Sequence, residues 1–119
     1  MIALPWPDMA TLGPNARKHY RVVAKAKAEA RESAYLMAGQ LTWSLPKMDK
    51  PKLRLLLDFY PPDNRVRDWD NLSYCMKSPL DGIFEALGLD DSLIRQTVVS
   101  LHRAEPNNPR VEIQMEIMK

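Results

Sequence analysis

The sequence predicts a single α+β domain, a mixed sheet carrying two helices on one face, with its elements in the order β-α-β-α-β-β. Three observations lead there. Residues Lys52 to Tyr60 and Val111 to Met118 alternate apolar and polar side chains, the period of a strand with one wetter face. Two other stretches have the composition and spacing of helices. Ten prolines cut the 119 residues into short pieces, and a chain of this length fits one domain with a real but modest core.

Taken in order, Met1 to Leu4 reads as a short strand stopped by Pro5-Trp6-Pro7, and Asp8 to Pro14 as a loop. Asn15 is a suitable N-cap for a helix from about Ala16 to Ala38, with Val22, Val23, Ala26, Ala30, Ala34 and Met37 as its apolar stripe and Gly39 as its stop. Gln40 to Pro51 is irregular. Lys52 to Tyr60 is a strand ended by Pro61-Pro62-Asp63-Asn64. A second helical region runs from near Asp70 to Leu87, stopped by Gly88; Pro79 either kinks it or restarts it with Ser78 as cap. Ser92 to Arg103, rich in Ile, Val and Thr, and Val111 to Met118 are strands, expected to pair as a hairpin.

Composition narrows the function classes. The hydrophobic fraction is 45% and the charged fraction 27%, ordinary for a soluble protein. Net charge is only +2, weak support for nucleic-acid binding, but the distribution is uneven: Arg17, Lys18, Arg21, Lys25, Lys27 and Arg31 cluster early, and Arg54, Arg65 and Arg67 flank an acidic segment. The single cysteine, Cys75, excludes an intrachain disulfide and a Cys/His metal cluster, and reads as a buried small hydrophobe. With no secretory signal pattern and no long apolar run, a reducing, cytoplasmic setting is expected. Trp6, Trp43, Tyr35 and the methionines read as core or interface; His19 and His102 have no evident partner in sequence.

The most informative stretch is Arg65-Val66-Arg67-Asp68-Trp69-Asp70-Asn71-Leu72 with Lys77, Asp81 and Asp90-Asp91. It crowds like charges in a way that solubility alone does not require. A hard divalent cation gives a reason, since Mg²⁺ is held by one or two carboxylates plus water and phosphate oxygens. In an extended segment Asp68 and Asp70 point the same way and can face one ion. A bare D-x-D is weak, however, because acids at a helix N-terminus are also favoured by its dipole, and Asp70 alone suits an N-cap. Lys77, seven residues on, and Asp81, eleven on, return to the face of Asp70 if the helix is continuous. Lys77 then acts as a point charge toward phosphate, or else makes an i,i+4 pair with Asp81. Asp91 lies about 25 Å from Asp70 along a straight helix. The acids then share an ion only across a two-fold dimer, or after a sharp break at Pro79.

Arg67-Asp68-Trp69-Asp70-Asn71-Leu72, Lys77-Ser78-Pro79-Leu80-Asp81-Gly82 and Gly88-Leu89-Asp90-Asp91-Ser92, with the opening Leu4-Pro5-Trp6-Pro7, resemble the RusA family of Holliday junction resolvases over nearly the whole chain. The resemblance implies a small homodimeric, phage- or prophage-type endonuclease that uses Mg²⁺ or Mn²⁺ to nick four-way DNA junctions symmetrically, in recombination and repair. It implies Asp68, Asp70 and Asp91 as metal-binding catalytic acids and Lys77 as the catalytic lysine, with Asp90 and Asp81 at supporting positions. The interval from Asp70 to Lys77 is longer than in the best-known form, which leaves Tyr74 as a rival position for that charge. The segment after Pro7 lacks the family's Ser/Asn-rich wording.

On this reading Lys18, Arg21 and Lys25, with Arg65 and Arg67, form the DNA surface, although a solvated charged face explains the early lysines and arginines equally well. The competing functions are a catalytically silent junction-binding protein, a structural dimerisation module, and a nuclease acting on flaps or RNA.

Overall fold

The structure is a computed structural model describing residues 1–40 and 50–118. Trp43 and Met48, read above as core or interface, and residues 41–49 of the expected irregular stretch lie outside the described residues. Strand β1 (Ile2–Pro5) leads through a one-turn helix α1 (Met9–Leu12) to the long helix α2 (Tyr20–Gln40). Strand β2 (Leu53–Tyr60) follows, then helices α3 (Trp69–Cys75) and α4 (Lys77–Leu87), a 3-10 turn (Asp91–Leu93), and strands β3 (Ile94–Leu101) and β4 (Arg110–Ile117). The α+β class and the mixed sheet are as expected; several boundaries are not.

Residues 9–12 are helical where a loop was expected. The reason is Asp8, whose carboxylate accepts from the Ala10 N–H at 3.0 Å and the Thr11 hydroxyl at 3.1 Å, an N-cap. Helix α2 starts at Tyr20, not Ala16, and its cap is His19 rather than Asn15. The His19 Nδ1 accepts from the Arg21 N–H at 3.2 Å, and its carbonyl accepts from Val22 and Val23. Gly39 does not stop the helix, which runs to Gln40. Its stripe is shifted slightly: Ala34 and Ala38 are buried, while Val22 faces solvent.

The region 70–87 is two helices. The break falls at Met76, not at Pro79, and Ser78 is not the cap. A proline ring clashes with the carbonyl four residues back, which for Pro79 belongs to Cys75, the last residue of α3. Pro79 itself sits in the first turn of α4, where a missing N–H costs nothing. Gly88 ends α4 in the left-handed region, φ 66°, its N–H donating to Glu85 O.

The sheet order is β1-β4-β2-β3. β3 runs parallel to β2, and β4 runs antiparallel to both β1 and β2. The expected β3–β4 hairpin is therefore absent. The helical crossover returns the chain to the end of the sheet where β2 began, so β3 must run parallel to it. Residues 102–109 then pass across the end of β2, where the His102 N–H donates to Phe59 O and the Glu105 N–H to Pro61 O.

One sheet face packs on the helices. Ile2, Leu4, Leu55, Leu57, Phe59, Val111 and Ile113 meet Ala34 and Ala38 of α2, Leu72 of α3, Met76, and Ile83 of α4. Among the described residues the opposite face carries no helix. It carries polar pairs: Arg54 of β2 with Gln96 of β3 at 2.7 Å, Arg110 with Glu112 along β4 at 2.8 Å, and His102, just past β3, with Asp58 of β2 at 2.8 Å. No helix among the described residues is long and apolar enough to cross a membrane.

Candidate functional site

The segment joining β2 to α3 is organised by Asp63. Its carboxylate accepts from the Arg65 N–H at 3.0 Å and from the Arg67 guanidinium at 2.7 Å, while Arg67 also donates to the carbonyls of Asp63 and Arg65. The Arg65 backbone bond, and then the Arg67 side chain, hold the Asp63 carboxyl below its usual range. The Arg67 guanidinium lies over the Trp6 ring, 5.3 Å from its centroid, and Trp6 packs edge-on against Phe59 at 6.0 Å. Trp6 is thus a packing residue, as anticipated, and it anchors Arg67 to the core. Trp6, Asp63, Arg65 and Arg67, with Asn64, Leu101 and His102, line a hollow of about 150 Å³.

Asp68 follows immediately, at the N-cap position of α3, with extended backbone. Its side chain makes no capping bond; its only hydrogen bond among the described residues is a long contact, 3.4 Å, from Asn71 Nδ2. Asp70 stands in the first turn and accepts from the Asn71 N–H at 2.9 Å. Both acids are exposed, and so is Trp69 between them. The local sequence places two carboxylates on solvent beside two arginines without using Asp68 for the cap it was positioned to make.

Lys77 and Asp81 are exposed on α4. The helix is not continuous from Asp70 to Asp81: α3 ends at Cys75 and α4 begins at Lys77, with Met76 between them. Among the described residues no ion pair joins Lys77 to Asp81. Tyr74, the rival position, is half exposed with Lys27 of α2 over its ring at 5.7 Å.

Asp90 is a cap. Its carboxylate accepts from the Ser92 N–H at 2.9 Å, and that bond lowers its pKa. Asp91 opens the 3-10 turn and is exposed. It sits at the end of β3 that pairs with Leu53, whereas Arg67 neighbours Leu101 at the other end. An eight-residue strand separates those ends by about 23 Å. Asp68 and Asp91 therefore do not converge within one chain. Among the described residues no three His, Cys, Asp or Glu side chains form a ligand set.

Of the expected DNA-facing residues, Lys18 precedes α2 and Arg21 and Lys25 lie on it, all exposed. Lys25 is loosely paired with Glu29 at 3.9 Å, and Arg21 contacts the Tyr20 hydroxyl at 3.2 Å. Lys27 of the same helix reaches the Tyr74 ring of α3.

A constellation that the sequence did not reveal lies across β2. His102 stacks on Tyr60, with centroids 4.4 Å apart, while bonding Asp58, and the Arg110 guanidinium lies 4.0 Å from the same ring's centroid. Burial, and then the charge of Glu112, raise the Tyr60 pKa. No local pattern marks a pair separated by 44 residues.

No protein-family model matches the chain. A similar protein is an uncharacterized protein of Xylella fastidiosa (strain Temecula1), 42% identical over 91 residues, which cover 76% of this chain. The matched part spans 59% of that relative's length.

Proposed function

We propose that this chain is a metal-dependent endonuclease of the RusA type, acting on four-way branched DNA as a homodimer. The observation that carries the reading is the start of α3. Asp68 and Asp70 are exposed and close in sequence, Asp68 is left free of its capping duty, and Arg67 is pinned beside them by Asp63 and Trp6. Carboxylates with open lone pairs on solvent suit a hard divalent cation, which takes oxygen ligands and retains water.

Asp68 and Asp70 would hold Mg²⁺ or Mn²⁺, with Asp91 completing the set from a second protomer. When bound, the ion supplies an acidified water and polarises the phosphoryl oxygen. The chain's own groups do the rest. Arg65, held only loosely to Asp63 at 3.6 Å, is available to a backbone phosphate. Arg67, with its donors committed, positions the loop. Lys77 provides a mobile point charge for the phosphate as negative charge develops. Lys18, Arg21 and Lys25 extend the phosphate track along α2.

The test is nicking of a labelled four-way junction against a matched duplex, with Mg²⁺ and with EDTA. The expected outcome is paired nicks in the junction alone, lost with EDTA and reduced at least about 100-fold in Asp70→Asn, the scale of a removed electrostatic group. Binding without any nicking would instead favour a silent junction-binding protein.

A further inference from the structure

Three cations gather at the end of the sheet where β2 and β3 begin. Lys50 and Lys52 precede β2, and Arg95 is the second residue of β3. All three are exposed, and among the described residues none joins an ion pair. Arg31, Arg54, Arg67 and Arg110, by contrast, are each held by a carboxylate. The three cations line a cleft of about 630 Å³, with Pro51 and Leu93 as apolar wall. The carboxylate on that wall, Asp90, is tied to the Ser92 N–H at 2.9 Å.

Two departures from regular backbone bring these charges together. Along the β2–β3 ladder Leu53 stands opposite Ile94, but Arg54 stands opposite Gln96, so Arg95 is an extra residue with no partner on β2. Such a bulge is rare between parallel strands, and it re-aims a side chain. Ile94 packs on the core and Gln96 bonds Arg54 on the open face. The inserted Arg95 stands instead in the cleft. Lys50 has a φ of 50°, the only positive φ outside glycine among the described residues. A lysine enters that left-handed region at a cost. Both distortions fall at one cleft, and each supplies it with a cation.

The chemistry of the cleft suits a phosphodiester. A guanidinium fork and two ammonium groups recognise phosphate oxygens. Pro51 and Leu93 offer apolar surface to the sugar between phosphates. A free inorganic anion would leave that wall, and most of the volume, unused.

We infer that the cleft of Lys50, Lys52 and Arg95 grips the sugar–phosphate backbone of DNA, as a contact separate from α2. This deepens the nuclease reading and in one respect rests on it: the cleft reaches Asp90, the neighbour of Asp91, and so would hold the strand beside the ion that Asp91 serves. The grip on DNA does not depend on cleavage.

Fluorescence anisotropy of labelled single-stranded, duplex and four-way DNA tests it, in EDTA and over a salt series. Lys50→Gly, Lys52→Gln and Arg95→Gln should each lower the slope of log affinity against log salt by about 1, while Arg95→Lys keeps the wild-type slope. Lys50→Gly should melt no lower than the wild type, because glycine accepts the left-handed backbone, so its lost affinity is not a lost fold. A lower melt would mean that the fold itself needs Lys50, and overturns its part. Wild-type slopes in all three variants, or a wild type that binds none of the DNAs, overturn the cleft. So does a loss of binding confined to phosphatidylserine vesicles, which would assign the cations to a membrane surface. Lowered slopes with no junction nicked in Mg²⁺ leave the cleft standing and remove the nuclease; unchanged slopes with nicking remove the cleft alone.

Discussion

Cys75 shows how a single side chain is placed by its surroundings. It is 1% exposed, and its Sγ lies 3.2 Å from Sδ of Met9, joining α3 to α1. Burial, with the charge of Asp8 nearby, pushes its pKa from 9.0 to about 11. An unfolded chain therefore loses the thiol proton before the folded one does. The stabilisation is complete below pH 9 and is lost as pH rises toward 11. Urea midpoints measured from pH 8 to 11 should show the gap between wild type and Cys75→Ala narrowing across that window; a constant gap contradicts the shift. Native Cys75 should also resist alkylation at pH 8. The burial of this cysteine was legible, because a lone Cys amid Leu72 and Met76 has little else to do. The His102–Asp58 bond was not, because only the crossing of residues 102–109 over β2 brings them together. The cap at His19 was missed for a related reason: histidine ranks below the usual capping residues, and Asn15 offered a better name at the wrong place.

Among the helices, α2 and α4 make the most extensive contact. A Cβ on Gly82 would run into the backbone of Arg31 and Tyr35, so the two helices meet with only a hydrogen between them. Ala34 and Ala38 continue that small surface, and the Arg31–Glu85 ion pair at 2.5 Å borders it. Gly82→Ala should destabilise the fold by about 1–3 kcal/mol, the range for forcing an extra methyl into a packed core. Chemical denaturation measures it, and an unchanged midpoint would mean that the helices separate easily. The helices themselves were readable from alanine content and spacing. Their junction was only half readable: Pro79 announced a break, but the clash it causes lies with Cys75, one turn earlier. The separation of Asp70 from Asp91 survives that break, since β3 sets it.

At the scale of the whole molecule, charge placement matters more than the net +2. If α2 follows a phosphate backbone, affinity for DNA should fall with added salt, and alanine at Lys18, Arg21 or Lys25 should each reduce the slope of log affinity against log salt by about 1. Fluorescence anisotropy over a salt series reads this, and slopes identical to wild type would remove α2 from the interface. The sheet order was the least legible feature. Period-two patterns identify strands and their inner faces, yet give no neighbour list, and the shortest connection suggested a β3–β4 hairpin, whereas β4 inserts between β1 and β2.

β4 lies in the interior of the sheet, flanked by β1 and β2, although the ribosome makes it after all the other strands. Until Arg110–Ile117 has emerged, β1 has no ladder and one flank of β2 stays open. Nascent chains halted before residue 110 should consequently depend on chaperones, and emergence of β4 should close the sheet in one step rather than strand by strand.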